Sequence, residues 1–192
     1  ARSAYLMGYW RETAKALHFA WSRDGLVWTA VNDGAPVLQA TTGNRCLRDF
    51  FVARCHNGGF RLVAPDLVAG TDGTTAMITC RSDDLVHWTD ERLVPLMDGD
   101  PDAICVWSPR FWFDGEHGDY LVTWALRSHH AEVDKRMFCA RTSDFERFTR
   151  SELLLDTGYP VIDVNLFRWN NRWYNLIKDD RIRFQEDGQE WS

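Results

Sequence analysis

The sequence predicts an all-β fold, a β-propeller of four-stranded antiparallel blades. Three observations carry this expectation. A Ser/Thr-x-Asp turn recurs with its Asp at positions 24, 84 and 144, sixty residues apart each time. A hairpin of two short apolar strands recurs in step with that turn. No helical 3.6-residue pattern persists between the copies. A β-sandwich is the competing architecture, but its strands do not normally repeat as sequence-similar modules of four.

The turn reads Ser22-Arg23-Asp24-Gly25-Leu26-Val27-Trp28-Thr29, then Ser82-Asp83-Asp84-Leu85-Val86-His87-Trp88-Thr89, then Thr142-Ser143-Asp144-Phe145-Glu146-Arg147-Phe148-Thr149. A shorter copy, Asp187 to Trp191, keeps the Asp-to-Trp interval of four. Ahead of each turn lies an apolar strand that begins with an aromatic residue: Tyr5, Phe60, Tyr120 and, before the last copy, Tyr174. Three of these strands follow an earlier one, near Asp49–Val52, Arg110–Phe113 and Asp163–Phe167, across turns rich in Asn, Asp and Gly. Each unit therefore reads as four strands, the last entered through the Ser/Thr-x-Asp turn. The period exceeds the ~40–50 residues of WD40 and kelch blades. Blades are expected at about 4–40, 46–95, 105–155 and 160–192, within one domain over 1–192. Only four residues precede Tyr5, so the first unit is expected to lack its innermost strand. The chain is accordingly expected to be a fragment of about four blades, missing a last blade and the closing strand.

Composition narrows the function. With 192 residues, 45% hydrophobic and 26% charged, the chain can build an ordinary core. The 22 basic residues are scattered among 28 acidic ones, for a net charge of −6, which argues against a nucleic-acid footprint. No stretch approaches the ~18 apolar residues of a membrane helix. Ten Trp and 14% aromatic residues in an acidic chain suit carbohydrate, whose C–H faces stack on rings while its hydroxyls take hydrogen bonds. The same rings can instead fill a β-rich core, the role expected of Trp28, Trp88 and Trp191. The five cysteines are an odd number without C-x-x-C spacing, so buried thiols are expected rather than a zinc site or disulfide framework. His129-His130 reads as an exposed loop pair. The expected partner is a carbohydrate, with no nucleic acid, no membrane, no metal and no cofactor.

In a propeller the innermost strands line the central channel, so residues at their starts meet at one mouth. Asp49, Arg110 and Asp163 hold similar positions in three successive units and are expected to converge. Glycosidic cleavage needs carboxylates on either side of the scissile bond, which makes Asp49 and Asp163 candidate catalytic groups. The alternative is that they cap strands and pair with neighbours such as Arg48.

Leu47-Arg48-Asp49, Trp107-Ser108-Pro109-Arg110, Val161-Ile162-Asp163 and Lys178-Asp179-Asp180-Arg181 resemble, in that order, the R-D-P, W-A-P-E, I-D and K-D-E motifs of glycoside hydrolase family 43. That resemblance implies a five-bladed propeller that inverts the anomeric centre, acting on α-L-arabinofuranosyl or β-D-xylosyl linkages of plant polysaccharides, in a secreted or periplasmic setting. It implies that Asp49 is the general base and that Asp163 orients the general acid and tunes its proton affinity. The acid itself is implied to be a Glu one blade later, ~50–60 residues past Asp163 and so beyond Ser192; Glu186 and Glu190 lie too early. Arg48, Trp107 and Arg110 are the implied substrate-binding residues. Two positions depart from the pattern: Phe50 stands where Pro is usual, and Arg110 where a carboxylate is common. An Arg there suits a substrate carboxylate such as a uronic acid, through its bidentate fork. The alternatives are a catalytically inactive glycan-binding propeller and a protein-interaction propeller.

Overall fold

The computed structural model describes residues 3–68, 73–129, 132–170 and 172–179. His130, Asn171, the Asp180-Arg181 half of the fourth motif, Glu186, Glu190 and the turn copy at Asp187–Trp191 lie outside the described residues.

Consecutive strands pair antiparallel in four sheets. The first holds β1 (Tyr5–Tyr9), β2 (His18–Ser22) and β3 (Thr29–Ala30). The second runs β4 (Phe51–Arg54), β5 (Phe60–Pro65), β6 (Ala76–Ser82) and β7 (Trp88–Pro95). The third runs β8 (Ala103–Asp114), β9 (Asp119–Ser128), β10 (Lys135–Thr142) and β11 (Glu152–Leu155). The fourth shows β12 (Val161–Trp169) and β13 (Arg172–Asp179). The one helical element among the described residues is a short 3-10 turn at Asn32–Gly34. Because the recurrent turn follows β2, β6 and β10, those three strands correspond, and β1 matches β5 and β9.

The turn has one wiring in all three copies. The first hydroxyl accepts from the backbone N–H three residues on: Gly25 to Ser22 at 2.9 Å, Leu85 to Ser82 at 2.8 Å, Phe145 to Thr142 at 2.8 Å. One carboxylate oxygen of Asp24, Asp84 or Asp144 then accepts two further N–H groups at 2.8–2.9 Å. These bonds satisfy donors that no strand can reach, which is why short polar residues are needed at both places. The residue after the Asp has a left-handed backbone in each copy, φ 80° at Gly25, 68° at Leu85 and 61° at Phe145. The indoles of Trp28 and Trp88 donate back to the carbonyls of Gly25 and Leu85. Both rings are half-buried and close their turns, rather than sitting in a sealed core.

The sheets stack face to face in chain order, which is propeller packing. Leu17 and Phe19 pack with Leu47, Leu62 and Ile78 between the first and second sheets. Val63, Met77 and Val94 pack with Val106, Phe111, Val122 and the fully buried Trp124 between the second and third. Ala125 and Met137 meet Val161 and Val164 between the third and fourth. A middle strand flanked by sheets on both faces cannot alternate between core and solvent. Leu62 to Pro65 of β5 are accordingly buried without interruption. All five cysteines are free thiols; Cys46, Cys80 and Cys105 are buried, whereas Cys55 and Cys139 are half-buried.

Candidate functional site

The strands β4, β8 and β12 are the first of their sheets and pack side by side. Two carry a β-bulge at the same place. In β8, Trp107 pairs with Ala125 and Arg110 with Thr123, so Ser108 and Pro109 together oppose Trp124. In β12, Ile162 pairs with Lys178 and Asn165 with Leu176, so Asp163 and Val164 together oppose Ile177. Asp49-Phe50 precedes Phe51, which pairs with Val63 at the matching point of β4. The first residue of each pair has a left-handed backbone: φ 51° at Asp49, 46° at Ser108 and 57° at Asp163. Non-glycine residues seldom take that conformation, and such positions collect at sites where a side chain must be re-aimed.

The register therefore equates Asp49 with Ser108 and Asp163. Arg110 falls two residues later, level with Phe51 and Asn165, and not level with the two carboxylates as the spacing alone suggests. Ser108 stands 12 residues before Tyr120, whereas Asp49 and Asp163 stand 11 before Phe60 and Tyr174, so the aromatic that opens each second strand does not mark the same register in every sheet.

Asp49, Asp163, Arg48, Trp107, Ser108, Lys15 and Lys178 line one cavity of about 370 Å³. Arg110 is not part of this lining. Its guanidinium lies 5.4 Å from the centre of the Phe51 ring, in a cation–π contact. A larger hollow of about 750 Å³ sits beside the Asp98–Pro101 loop, walled by Phe138 and Phe148. It contains neither Asp49 nor Asp163, and the smaller cavity is the one that gathers opposed charges and an indole.

Electrostatics within the cavity are unequal. Desolvation of Asp49 pushes its carboxyl above the ordinary carboxylate range; the Arg48 charge opposes that rise and the Asp163 charge adds to it. Arg48 Nε stands 3.4 Å from Asp49 Oδ2, and Arg48 Nη1 stands 3.8 Å from Glu12 Oε1. The same guanidinium lies 4.8 Å from the Trp10 ring centre, so a ring and two carboxylates hold it in place. Asp163 accepts a hydrogen bond from Ser108 Oγ at 2.8 Å on Oδ1, and its Oδ2 faces Lys178 Nζ at 3.9 Å. Lys135 Nζ lies 6.0 Å from the Trp107 ring centre. Asp49 and Asp163 keep 37% and 40% of their side-chain surface exposed, so both can be reached from solvent.

Four of the five residues singled out from the sequence thus line one cavity, and Arg110 lies apart. Ser108, Lys15 and Lys178 join the wall without having been singled out. Ser108 and Lys178 stand inside quoted motif segments, which was the available signal; Lys15 has no signal in its own neighbourhood, because it reaches the cavity from the loop between β1 and β2.

A family model described as "Probable glycosyl hydrolase domain", of the glycosyl hydrolase 43-related type, matches residues 1–191. An α-L-arabinofuranosidase of Bifidobacterium longum subsp. longum is 26% identical over 180 residues, covering 78% of this chain and 16% of that protein. Among solved structures, the α-L-arabinanase of Penicillium chrysogenum complexed with arabinobiose superposes with a TM-score of 0.62 at 13% identity, over 91% of this chain and 56% of that one. The β-1,2-mannobiose phosphorylase of Listeria innocua superposes with a TM-score of 0.60 at 14% identity, over 85% of this chain and 45% of that one. The chain thus spans about half of these solved structures and about a sixth of the curated relative. At such identities the structural likenesses carry the fold alone. The match over residues 1–191 goes further, and the chain belongs to the glycosyl hydrolase 43-related family.

Proposed function

We propose that this chain is the part of an inverting glycoside hydrolase that carries its general base, acting on α-L-arabinofuranosyl or β-D-xylosyl linkages of plant polysaccharides. The observation that carries the proposal is the joining of two carboxylates from two different sheets, Asp49 and Asp163, with the indole of Trp107 in one open cavity. Asp49 deprotonates the attacking water. A carboxylate with raised proton affinity is the stronger base, provided it is ionised at the working pH. Asp163 orients the general acid and raises that acid's proton affinity by like-charge repulsion. The acid is a Glu on the blade after Asp163. Inversion requires room for a water between base and anomeric carbon, which sets base and acid ~6.5–9.5 Å apart. Arg48 holds Asp49 and takes sugar hydroxyls as hydrogen-bond acceptors, and Trp107 stacks against the sugar ring.

The test uses the full-length protein and 4-nitrophenyl α-L-arabinofuranoside and β-D-xyloside. The expected result is turnover of at least one substrate, with the inverted anomer as first product by NMR. Retention of configuration overturns the mechanism. Carbohydrate binding without turnover favours a glycan-binding propeller instead.

A further inference from the structure

Ser108 occupies the position at which the W-A-P-E pattern has alanine. Ser108 and Asp163 are the first residues of matching bulges on neighbouring strands, both with left-handed backbone, at φ 46° and 57°. Serine gains nothing at such a φ that glycine would not supply with less strain. Something other than backbone geometry has to account for the side chain, and its Oγ spends its proton on Asp163 Oδ1 at 2.8 Å.

We propose that Ser108 is a positioning residue for Asp163, its hydroxyl fixing the plane of the Asp163 carboxylate. The terminal torsion of an Asp is broad and roughly two-fold, so one short donor on one oxygen selects an orientation that the backbone leaves open. Lys178 on β13 faces the other oxygen at 3.9 Å, too far for a hydrogen bond, and supplies charge without direction. The other ionisable groups lining the cavity among the described residues are Asp49, Arg48 beside it, Lys15 and Cys46. The strands β9 and β10 pack Ala125 and Met137 against Val161 and Val164 of β12. Ser108 is thus the directional contact in this set. The inference rests on the reading of Asp163 as the residue that orients and tunes the acid.

The experiment compares Ser108→Ala and Ser108→Gly with the unsubstituted full-length protein, on whichever aryl glycoside it turns over. Both variants are expected to lose kcat on the order of tenfold, the size of a hydrogen bond to a charged group, with KM nearly unchanged. Ser108→Asn, which tolerates a left-handed backbone and restores a donor, is expected to recover part of the loss. Should Ser108→Ala fail to fold, Ser108→Gly decides, since it relieves strain while removing the hydroxyl. Normal kcat in Ser108→Gly overturns the proposal. Asp163→Asn, measured in parallel, separates the two readings. Full turnover there sinks the role of Asp163, whereas lost turnover there with unaffected Ser108 variants sinks the role of Ser108 alone.

Discussion

Asp49 pays for its position in folding free energy. Desolvation, reinforced by the Asp163 charge and opposed by Arg48, raises its proton affinity in the folded chain above that in the unfolded one. The unfolded chain therefore gives up this proton at lower pH. Ionised Asp49 costs stability once the pH rises above the ordinary carboxylate value of ~3.9, and the full cost applies above the folded value. Asp49→Asn removes that cost, so its melting temperature at pH 7 is expected to exceed that of the parent protein, with the difference vanishing near ~pH 3, where both forms are protonated. Turnover of the full-length protein should fall ~10²–10⁴-fold in the same variant, the usual worth of a general base. A variant that is both more stable and inactive marks a residue kept for chemistry. A variant less stable at pH 7 would instead mark a strand cap held by Arg48. Arg110 teaches a different lesson at this scale. Its place in the wall was inferred from a spacing of ten or eleven residues between paired segments, but the register puts Ser108 level with the two carboxylates and leaves Arg110 two residues on, against Phe51.

At the level of elements, the Ser/Thr-x-Asp turn is legible in the sequence because its bonds are local. Each donor lies within three residues of its acceptor, so the same short motif gives the same turn wherever it occurs. The two N–H bonds to Asp144, from Arg147 and Glu146, lower its proton affinity, with the Arg147 and Thr142 side chains adding to the effect. A carboxyl so lowered contributes stability that is present above the ordinary carboxylate value and lost as the pH falls through the folded one. Asp144→Ala is expected to cost about 1 kcal/mol at pH 7, by analogy with the loss of a helix N-cap, and less at ~pH 3. Chemical denaturation at the two pH values measures both. The bulges are the opposite case. Nothing in Trp107-Ser108-Pro109-Arg110 announces that two residues will face one across the ladder, because the partner strand decides that.

Across the whole molecule, stability comes from the seams between sheets. Trp124 is fully buried in the seam between the second and third sheets, opposite the bulge that carries Ser108. Its indole N–H has no hydrogen-bond partner among the described residues, so packing is what holds the ring there. Trp124→Ala is expected to destabilise the protein by about 3–5 kcal/mol. Trp124→Phe should cost clearly less, since it also removes a buried donor without a partner. Equal losses for the two variants, by denaturant titration, would show that the N–H is satisfied in solution.

By itself the sequence determined the all-β class, the repeating unit and the turns, because each rests on contacts between residues close in the chain or on a pattern repeated along it. Only the tertiary structure decided which side chains share the cavity. Lys15, Arg48, Trp107, Ser108, Asp163 and Lys178 meet because separate sheets stack around one axis, and their alignment depends on strand register, which a one-residue bulge changes without altering composition or periodicity.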